Sequence, residues 1–584
     1  MQHAIGEHAF LADSRTAALV APDGNVAWLC WPRIDSDPLF FSLLDDDRGG
    51  EFSVRPRQRA VFQRPSYLPV PLIAHTEWPV GGATVTVDDM LLQTDVAAVH
   101  RVIRATGDAD VDVVCAPSRW PGRVPATLRI DGARLHIDND VQHVVVHAPA
   151  AWTVDGSGAR CSVFVHGDGP AFVTLCDAAA SPSPASLREA EAATTARWNQ
   201  AIRVVDDVVL RESAAGALGA DTCRRLLRVA AAVLLGLHHT AGGIVAAPTT
   251  SLPQWPGSSR CWDYRLCWPR DAALAGLAFV RLGLLAEAQR IGAFLGHLAD
   301  DDGIPSVVRV DGAVPSGELE LHELGGYRGA LPVRTGNAAS EQAQLDVAGE
   351  VIELAHALFQ AESLPDELAR AVPLLAAATV DRWRRPDHGI WEIRGEPRRY
   401  THSQVAAWSG LERAAVLSDR GAVAGDSSRW RAEAAAIRAA VLDSGYRALE
   451  LHRDGGGADA ALSVAVRDGF LAPHDPRSTA TLDLIASRLD RSGVLDRYEG
   501  QPDGIGDRCA PFVFPTFWMA SAEEMAGRDP APRLRAAAGA RGRWDLFGEV
   551  ADPVTGGPLG NYPQVQSHAA LIIALTQPRL SSRS

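Results

Sequence analysis

Lysine is missing altogether from the 584 residues, so all 56 basic side chains other than histidine are arginine. We read this as a bias of base composition that carries no functional information. An excess of positive charge is missing too. The 71 acidic side chains leave a formal charge of −15, which on average repels nucleic-acid backbones and anionic membranes and favours a neutral or cationic ligand. Long apolar runs are absent. The longest, around Val229–Leu237, falls well short of the ~20 residues that cross a bilayer. Cysteine is sparse. Cys30, Cys115, Cys161, Cys176, Cys223, Cys261, Cys267 and Cys509 lack the close pairing of zinc sites, and free buried thiols are expected. The opening residues, MQHAIGEHAF, have neither a basic start nor an apolar core, so no export signal is read and a cytoplasmic protein is expected.

What remains is ordinary globular material, 47% apolar and 22% charged, long enough for several domains and a large core. Up to about Ser183 the texture is strand-like. Short β-branched runs such as "ATVTV", "VHRVIRA", "VQHVVVH" and "CSVFVHG" alternate with Gly, Pro and Asp turns at a spacing that leaves little room for crossover helices. An antiparallel β-sandwich is expected at 1–183. The stretch "SPSPAS", with Pro182 and Pro184, reads as a linker, and Ser186 is expected to cap a helix through "LREAEAATTARWNQ" within a helical linker at 184–213.

Helical periodicity dominates 214–584. The apolar spacing predicts helices over Leu218–Leu237, Asp271–Leu284, Ala286–Leu298, Gln342–Gln360, Pro365–Trp383, Gln404–Leu417, Ser428–Leu442, Thr479–Leu489, Pro515–Met525 and Val565–Leu575. These fall in pairs joined by long loops, and a ring of helices is the economical architecture. No strict internal repeat accompanies the pairing.

Three loops concentrate residues that can do chemistry. "PQWPGSSRCWDYRLCWPRDA" (Pro253–Ala272) mixes Trp255, Trp262 and Trp268 with Asp263, Arg265, Arg270 and Asp271. Flat rings suit the C–H face of a sugar and forked polar groups suit its hydroxyls; a core-closing cluster with an Arg270–Asp271 pair is the structural alternative. In "GIWEIRGEPRRYTHS", Glu392 follows Trp391. A carboxyl against an indole is desolvated and suits a general acid; the alternative is a surface pair with Arg394. In "DLFGEVADPVTGGPLGNYPQVQSHAAL", Glu549 precedes the last helix and offers the second carboxylate that activation of water requires, unless it is a solvated loop residue.

These segments occur in an order that resembles glycoside hydrolase family 15, the glucoamylase, glucodextranase and bacterial trehalase group. The similarity spans nearly the whole chain. It includes the opening "IGEHAFLADSRTAALVAPDGNVAWLCWPRIDSDPLFFSLLD", then "WDYRLCWPRDA", "PVRTGNAASEQAQLDVAGEV", "GIWEIRGEPRRYTHS" and "DPVTGGPLGNYPQVQSHAALI". The resemblance implies a β-sandwich followed by an (α/α)6 barrel, and an inverting hydrolase that releases glucose from the non-reducing end of a small soluble α-glucoside such as trehalose or a maltooligosaccharide. By motif, Glu392 looks like the general acid and Glu549 like the base. Trp268, Arg270 and Asp271 look like the wall and clamp of the sugar subsite, and Tyr264, Trp391 and Arg497 like further lining. No cofactor or metal is implied.

Several positions depart from the family pattern. Cys261, Leu266 and Pro269 replace Asn, Tyr and Leu, and Ala348 stands in place of a Tyr. Arg399 and Gln404 replace His and Lys, and Gly548 and Val550 flank the expected base where Ser and Glu are common. "DRCAPFVFPTFW" (Asp507–Trp518) replaces an acidic segment. These changes predict retained bond cleavage with an altered sugar or leaving group. A noncatalytic or repurposed sugar-binding protein and a sugar phosphorylase are the alternatives.

Overall fold

The computed structural model describes residues 2–58, 63–67, 70–93, 97–122, 126–156, 158–180, 183–443, 445, 447–500 and 502–578. Pro182 of the expected linker lies outside them.

The N-terminal part is built from antiparallel strands. Among the described residues, one sheet runs, edge to edge, Thr127–Asp131, Arg134–Asp138, His143–His147, Ala171–Asp177, Ala98–Ala105, Ala83–Leu91, Ala74–Val80 and Gln63–Tyr67. A second runs Thr153–Asp155, Gly158–Val165, Ala109–Ala116 and Glu51–Pro56. Burial alternates along Ala109–Ala116 and Gly158–Val165, so one face of the second sheet turns inward. Arg101 joins the two sheets from inside. It pairs with Asp89 at 2.6 Å on its own sheet and donates to the Phe52 carbonyl of the other at 3.1 Å, so this buried charge is neutralised. A four-stranded meander, Ala9–Ala12, Ala17–Val20, Val26–Cys30 and Pro38–Phe40, is buried throughout and faces the helical part, where Trp28 donates to the Pro248 carbonyl at 2.7 Å.

The first helix, α1 (Pro184–Arg203), is capped differently from expectation. Ser183 is the N-cap and accepts from the Ser186 backbone N–H, while the Ser186 side chain reaches back to the cap. Proline occupies the first helical position, where its missing N–H costs nothing, and this moves the start forward. The remaining helices are α2 (Glu212–Leu218), α3 (Ala220–Leu237), α4 (Pro269–Leu282), α5 (Leu285–Leu298), α6 (Asp346–Gln360), α7 (Asp366–Arg382), α8 (Thr401–Asp419), α9 (Ser427–Leu442), α10 (Val464–Arg467), α11 (Pro476–Leu489), α12 (Val513–Met525), α13 (Ala531–Gly539) and α14 (Val565–Leu575).

Packing sorts them into two rings. α4, α6, α8, α10, α12 and α14 touch in succession, and α14 returns to α4; α3, α5, α7, α9, α11 and α13 pack outside, giving an (α/α)6 barrel. The inner helices are apolar on nearly all sides: every residue of α14 is buried, as are eleven of α12 from Val513 to Glu523. Two glycines let α6 and α8 approach closely. A Cβ on Gly349 would lie 2.2 Å from the Ala406 carbonyl oxygen, and one on Gly410 would lie 2.7 Å from Gly349 Cα. The long loops before the inner helices carry the unusual residues, so they gather at the N-terminal end of the ring.

Candidate active site

Arg270 and Asp271 belong to the first turn of α4, behind Pro269, and both are buried. Trp268 is the N-cap, and its indole N–H donates to Glu392 Oε1 at 2.5 Å. Arg270 donates to the same oxygen at 3.1 Å and to Gln344 Oε1 at 2.9 Å, and pairs with Asp271 at 3.4 Å and Asp346 at 3.6 Å. Asp271 accepts from Gln566 at 2.9 Å. Its burial, opposed by Arg270 and reinforced by Glu392 and Glu549, pushes its carboxyl up to about 7.

Glu392 sits in the loop between α7 and α8 with φ of 55°, a left-handed conformation that a non-glycine residue adopts at some cost. The loop is pinned around it. Gln342 donates to the Glu392 carbonyl at 3.2 Å, and Arg394 makes a bidentate pair with Glu318 at 2.8 and 2.6 Å. The expectation that Glu392 lies against the Trp391 indole is corrected. Trp391 turns the other way, donating to Asp459 at 2.8 Å and packing on Phe512 and Phe514, because consecutive side chains of this turn diverge. The indole that meets Glu392 is that of Trp268, and it does so through its polar edge. The surface pair with Arg394 is not formed either, since Arg394 is committed to Glu318.

Glu549 is 4% exposed. The Tyr264 hydroxyl donates to Oε1, and the Gln254 side-chain amide donates to Oε2 at 2.9 Å. Burial raises its carboxyl above the ordinary range, while these two donors and nearby Arg497 work against that rise. Burial and the charges of Glu549 and Glu392 drive the Tyr264 hydroxyl well above its usual range, so it remains a donor. Glu392 is more open, its side chain 22% exposed.

The eight residues given site roles from the sequence, Tyr264, Trp268, Arg270, Asp271, Trp391, Glu392, Arg497 and Glu549, line one pocket of about 760 Å³, its open mouth included; of the others noted in the first loop Trp262 joins them, whereas Trp255, Asp263 and Arg265 do not. Arg497 reaches it through a buried cluster. It donates to Asp503 Oδ2 at 2.8 Å beside a bidentate contact from Arg260 at 2.6 and 3.1 Å and the Tyr498 hydroxyl at 2.5 Å. These donors hold the Asp503 carboxyl down at about 2, against the opposing effect of burial.

Sequence reasoning missed Gln254, Arg260, Asp503, Phe512, Phe514 and Gln566, which share the lining. Gln254 and Arg260 lie inside the first chemical loop but are overshadowed there by its tryptophans. Phe512 and Phe514 lie in the segment noted for departing from the family pattern. The other departures fall elsewhere. Cys261, Leu266, Pro269, Ala348, Arg399, Gln404, Gly548 and Val550 are not among the pocket-lining residues, whereas Phe512 and Phe514 are.

Among the described residues, no group of three or more His, Cys, Asp or Glu is placed to hold a metal ion, and no helix is long and apolar enough to cross a membrane. The eight cysteines are free, all buried except the half-buried Cys509.

Residues 224–540 match the model for "Glycosyl hydrolases family 15", and residues 1–196 match that for "Trehalase-like, N-terminal". The chain belongs to glycosyl hydrolases family 15. It is 32% identical to the trehalase of Mycobacterium tuberculosis over 98% of this chain and 89% of the relative, and 32% identical to that of Mycolicibacterium smegmatis over 98% and 90%. Trehalase 1 of Sulfolobus acidocaldarius is 29% identical over 97% and 98%. A bacterial glucoamylase solved in complex with acarbose superposes with a TM-score of 0.71 at 14% identity, covering 98% of this chain and 94% of that one, which shows a shared fold. As a member of this family the protein is a glycoside hydrolase, with the β-rich domain and (α/α)6 barrel that the sequence predicts.

Proposed function

We propose that the pocket hydrolyses a terminal α-glucosidic bond of a small soluble glucoside, trehalose first among the candidates, with inversion at the attacked carbon. The supporting observation is that one cavity holds two carboxylates from separate loops in unlike surroundings. Glu392 is partly open and Glu549 is buried under two donors.

In this reading Trp268, Arg270 and Asp271 hold the non-reducing sugar. Glu549 takes a proton from a water molecule as the water oxygen attacks the anomeric carbon, and Glu392 gives its proton to the departing oxygen from the other face. Trp268 and Arg270 both address Glu392 Oε1, leaving Oε2 for the transferred proton. The negative field of Asp271 and Glu549 suits the positive charge that develops on the ring. Phosphorolysis would leave a water-activating carboxylate without a task, so a buried, positioned Glu549 favours hydrolysis. The trehalase relatives along almost the full chain support trehalose over other α-glucosides.

The test is NMR of the first products from trehalose beside maltose and isomaltose. Inversion of one ring with retention of the leaving ring gives equal α- and β-glucose from trehalose. Glu392→Gln and Glu549→Gln each lower kcat by about 10²–10⁴-fold. Turnover by both variants at the wild-type rate overturns the assignment.

A further inference from the structure

Asp346, the first residue of α6, is 0% exposed, and neither of its carboxylate oxygens accepts a hydrogen bond from the described residues. A buried carboxylate in that condition is expensive unless a cation compensates it. The cation is Arg270, whose Nη1 lies 3.6 Å away and whose Nε makes no hydrogen bond among the described residues. The same guanidinium donates to Glu392 Oε1. Asp346, Arg270 and Glu392 therefore form a line from the barrel interior to the pocket, and the guanidinium is shared between a carboxylate that never meets the ligand and one that lines its cavity.

We propose that Asp346 is a positioning residue that acts through Arg270, holding its guanidinium and setting how much positive charge it delivers to Glu392 and Asp271. The inference rests on the reading of Glu392 as the acid, because an acid must keep its proton while a cation touches it. By its own negative charge on the interior side of Arg270, Asp346 acts to raise the Asp271 carboxyl.

Other charges face this line from each neighbouring element. They are Asp271 on α4, Glu350 on α6, Asp387 in the loop between α7 and α8, His402 on α8 and the Arg467–Asp468 pair at the end of α10, with Glu549 across the pocket. Burial keeps His402 neutral, pushing it down to about 4. Arg467 and Asp468 neutralise each other at 2.6 Å. Asp346 is thus the carboxylate placed to divide the Arg270 charge from the interior side.

The Asp271 carboxyl supplies a reporter, because Arg270 and Asp346 both act on it. In protein labelled with ¹³C-aspartate, the Asp271 carboxyl signal, assigned by Asp271→Asn, is followed against pH in wild type and Asp346→Asn. Loss of the rear carboxylate moves its midpoint down by about one pH unit. An unmoved or raised midpoint in a folded variant overturns the proposal. Should Asp346→Asn fail to fold, Gln344→Glu adds a carboxylate to the same guanidinium from a half-buried position and raises the midpoint; an unmoved midpoint there overturns it equally. The readout requires no turnover. A midpoint that shifts in a protein inert toward every α-glucoside keeps the Asp346 coupling and dismisses the hydrolytic reading alone.

Discussion

Tyr264 donates its hydroxyl proton to Glu549 Oε1, and among the described residues that oxygen has no other hydrogen-bond donor, since Gln254 occupies Oε2. The phenol therefore sets both the orientation and the basicity of the carboxylate.

Tyr264→Phe removes a donor that lowers the Glu549 carboxyl, so the carboxyl rises further. A base works only when ionised, so the acid limb of kcat/KM moves to higher pH, and the pH-independent maximum falls about tenfold or more through lost orientation. A pH–rate profile measured on trehalose checks both effects.

Asp459 is fully buried, accepts from Trp391 and from the Ala461 backbone N–H through the same oxygen, and is pushed up to about 7 by desolvation. A carboxyl raised in the folded state takes up protons on folding, so stability is fully present below the unfolded value and is lost as pH rises toward 7. Asp459→Asn keeps an acceptor oxygen for both donors and carries no charge. The variant gains stability relative to wild type between pH 5 and pH 8, by on the order of a few kcal/mol, as read by thermal melts across that range.

Asp503 behaves in the opposite sense. Its carboxyl is held at about 2 by Arg260, Tyr498 and Arg497, so its contribution is present above the unfolded value and disappears as pH falls toward 2. Asp503→Asn leaves Arg260 without its buried counter-charge, costs about 3–5 kcal/mol, and releases Arg497 into the pocket. Urea melts at neutral pH report the loss, and a raised KM reports the displaced arginine.

Gly349→Ala forces the α6–α8 contact apart, because the added methyl meets the rigid Ala406 carbonyl rather than a movable side chain. A loss of about 1–3 kcal/mol is expected, with kcat reduced as well, since α6 carries Asp346 and α8 follows the Glu392 loop. Thermal denaturation and steady-state rates measured together separate the two effects.

The barrel was legible because its inner helices are apolar over long stretches. The run Val565–Leu575 coincides with α14, and Asp271–Leu284 differs from α4 only by two residues at each end, where Pro269 starts the helix earlier than apolar spacing suggests. α2, α10 and α13 escaped because Glu212–Leu218 and Val464–Arg467 are short and Ala531–Gly539 has four alanines in nine residues, which leaves little periodic contrast. At the site, charged and aromatic residues crowded into loops were readable. Gln254 and Asp503 were not, since a lone amide or carboxylate shows its purpose only beside a partner far along the chain, Glu549 for one and Arg260 for the other. The Trp391–Glu392 juxtaposition misled for the same reason. Adjacency in sequence placed a ring next to a carboxyl on paper, while the turn sends them to different neighbours.

Closure of the inner ring by α14 against α4 has an outcome for any shortened form of the molecule. Glu392 arrives from the middle of the polypeptide and Glu549 from just ahead of the closing helix. A fragment cut anywhere between α13 and Glu549 loses Glu549, the wholly buried α14 and Gln566, the donor to Asp271, so the ring is left open beside α4 and the cavity loses one of its walls.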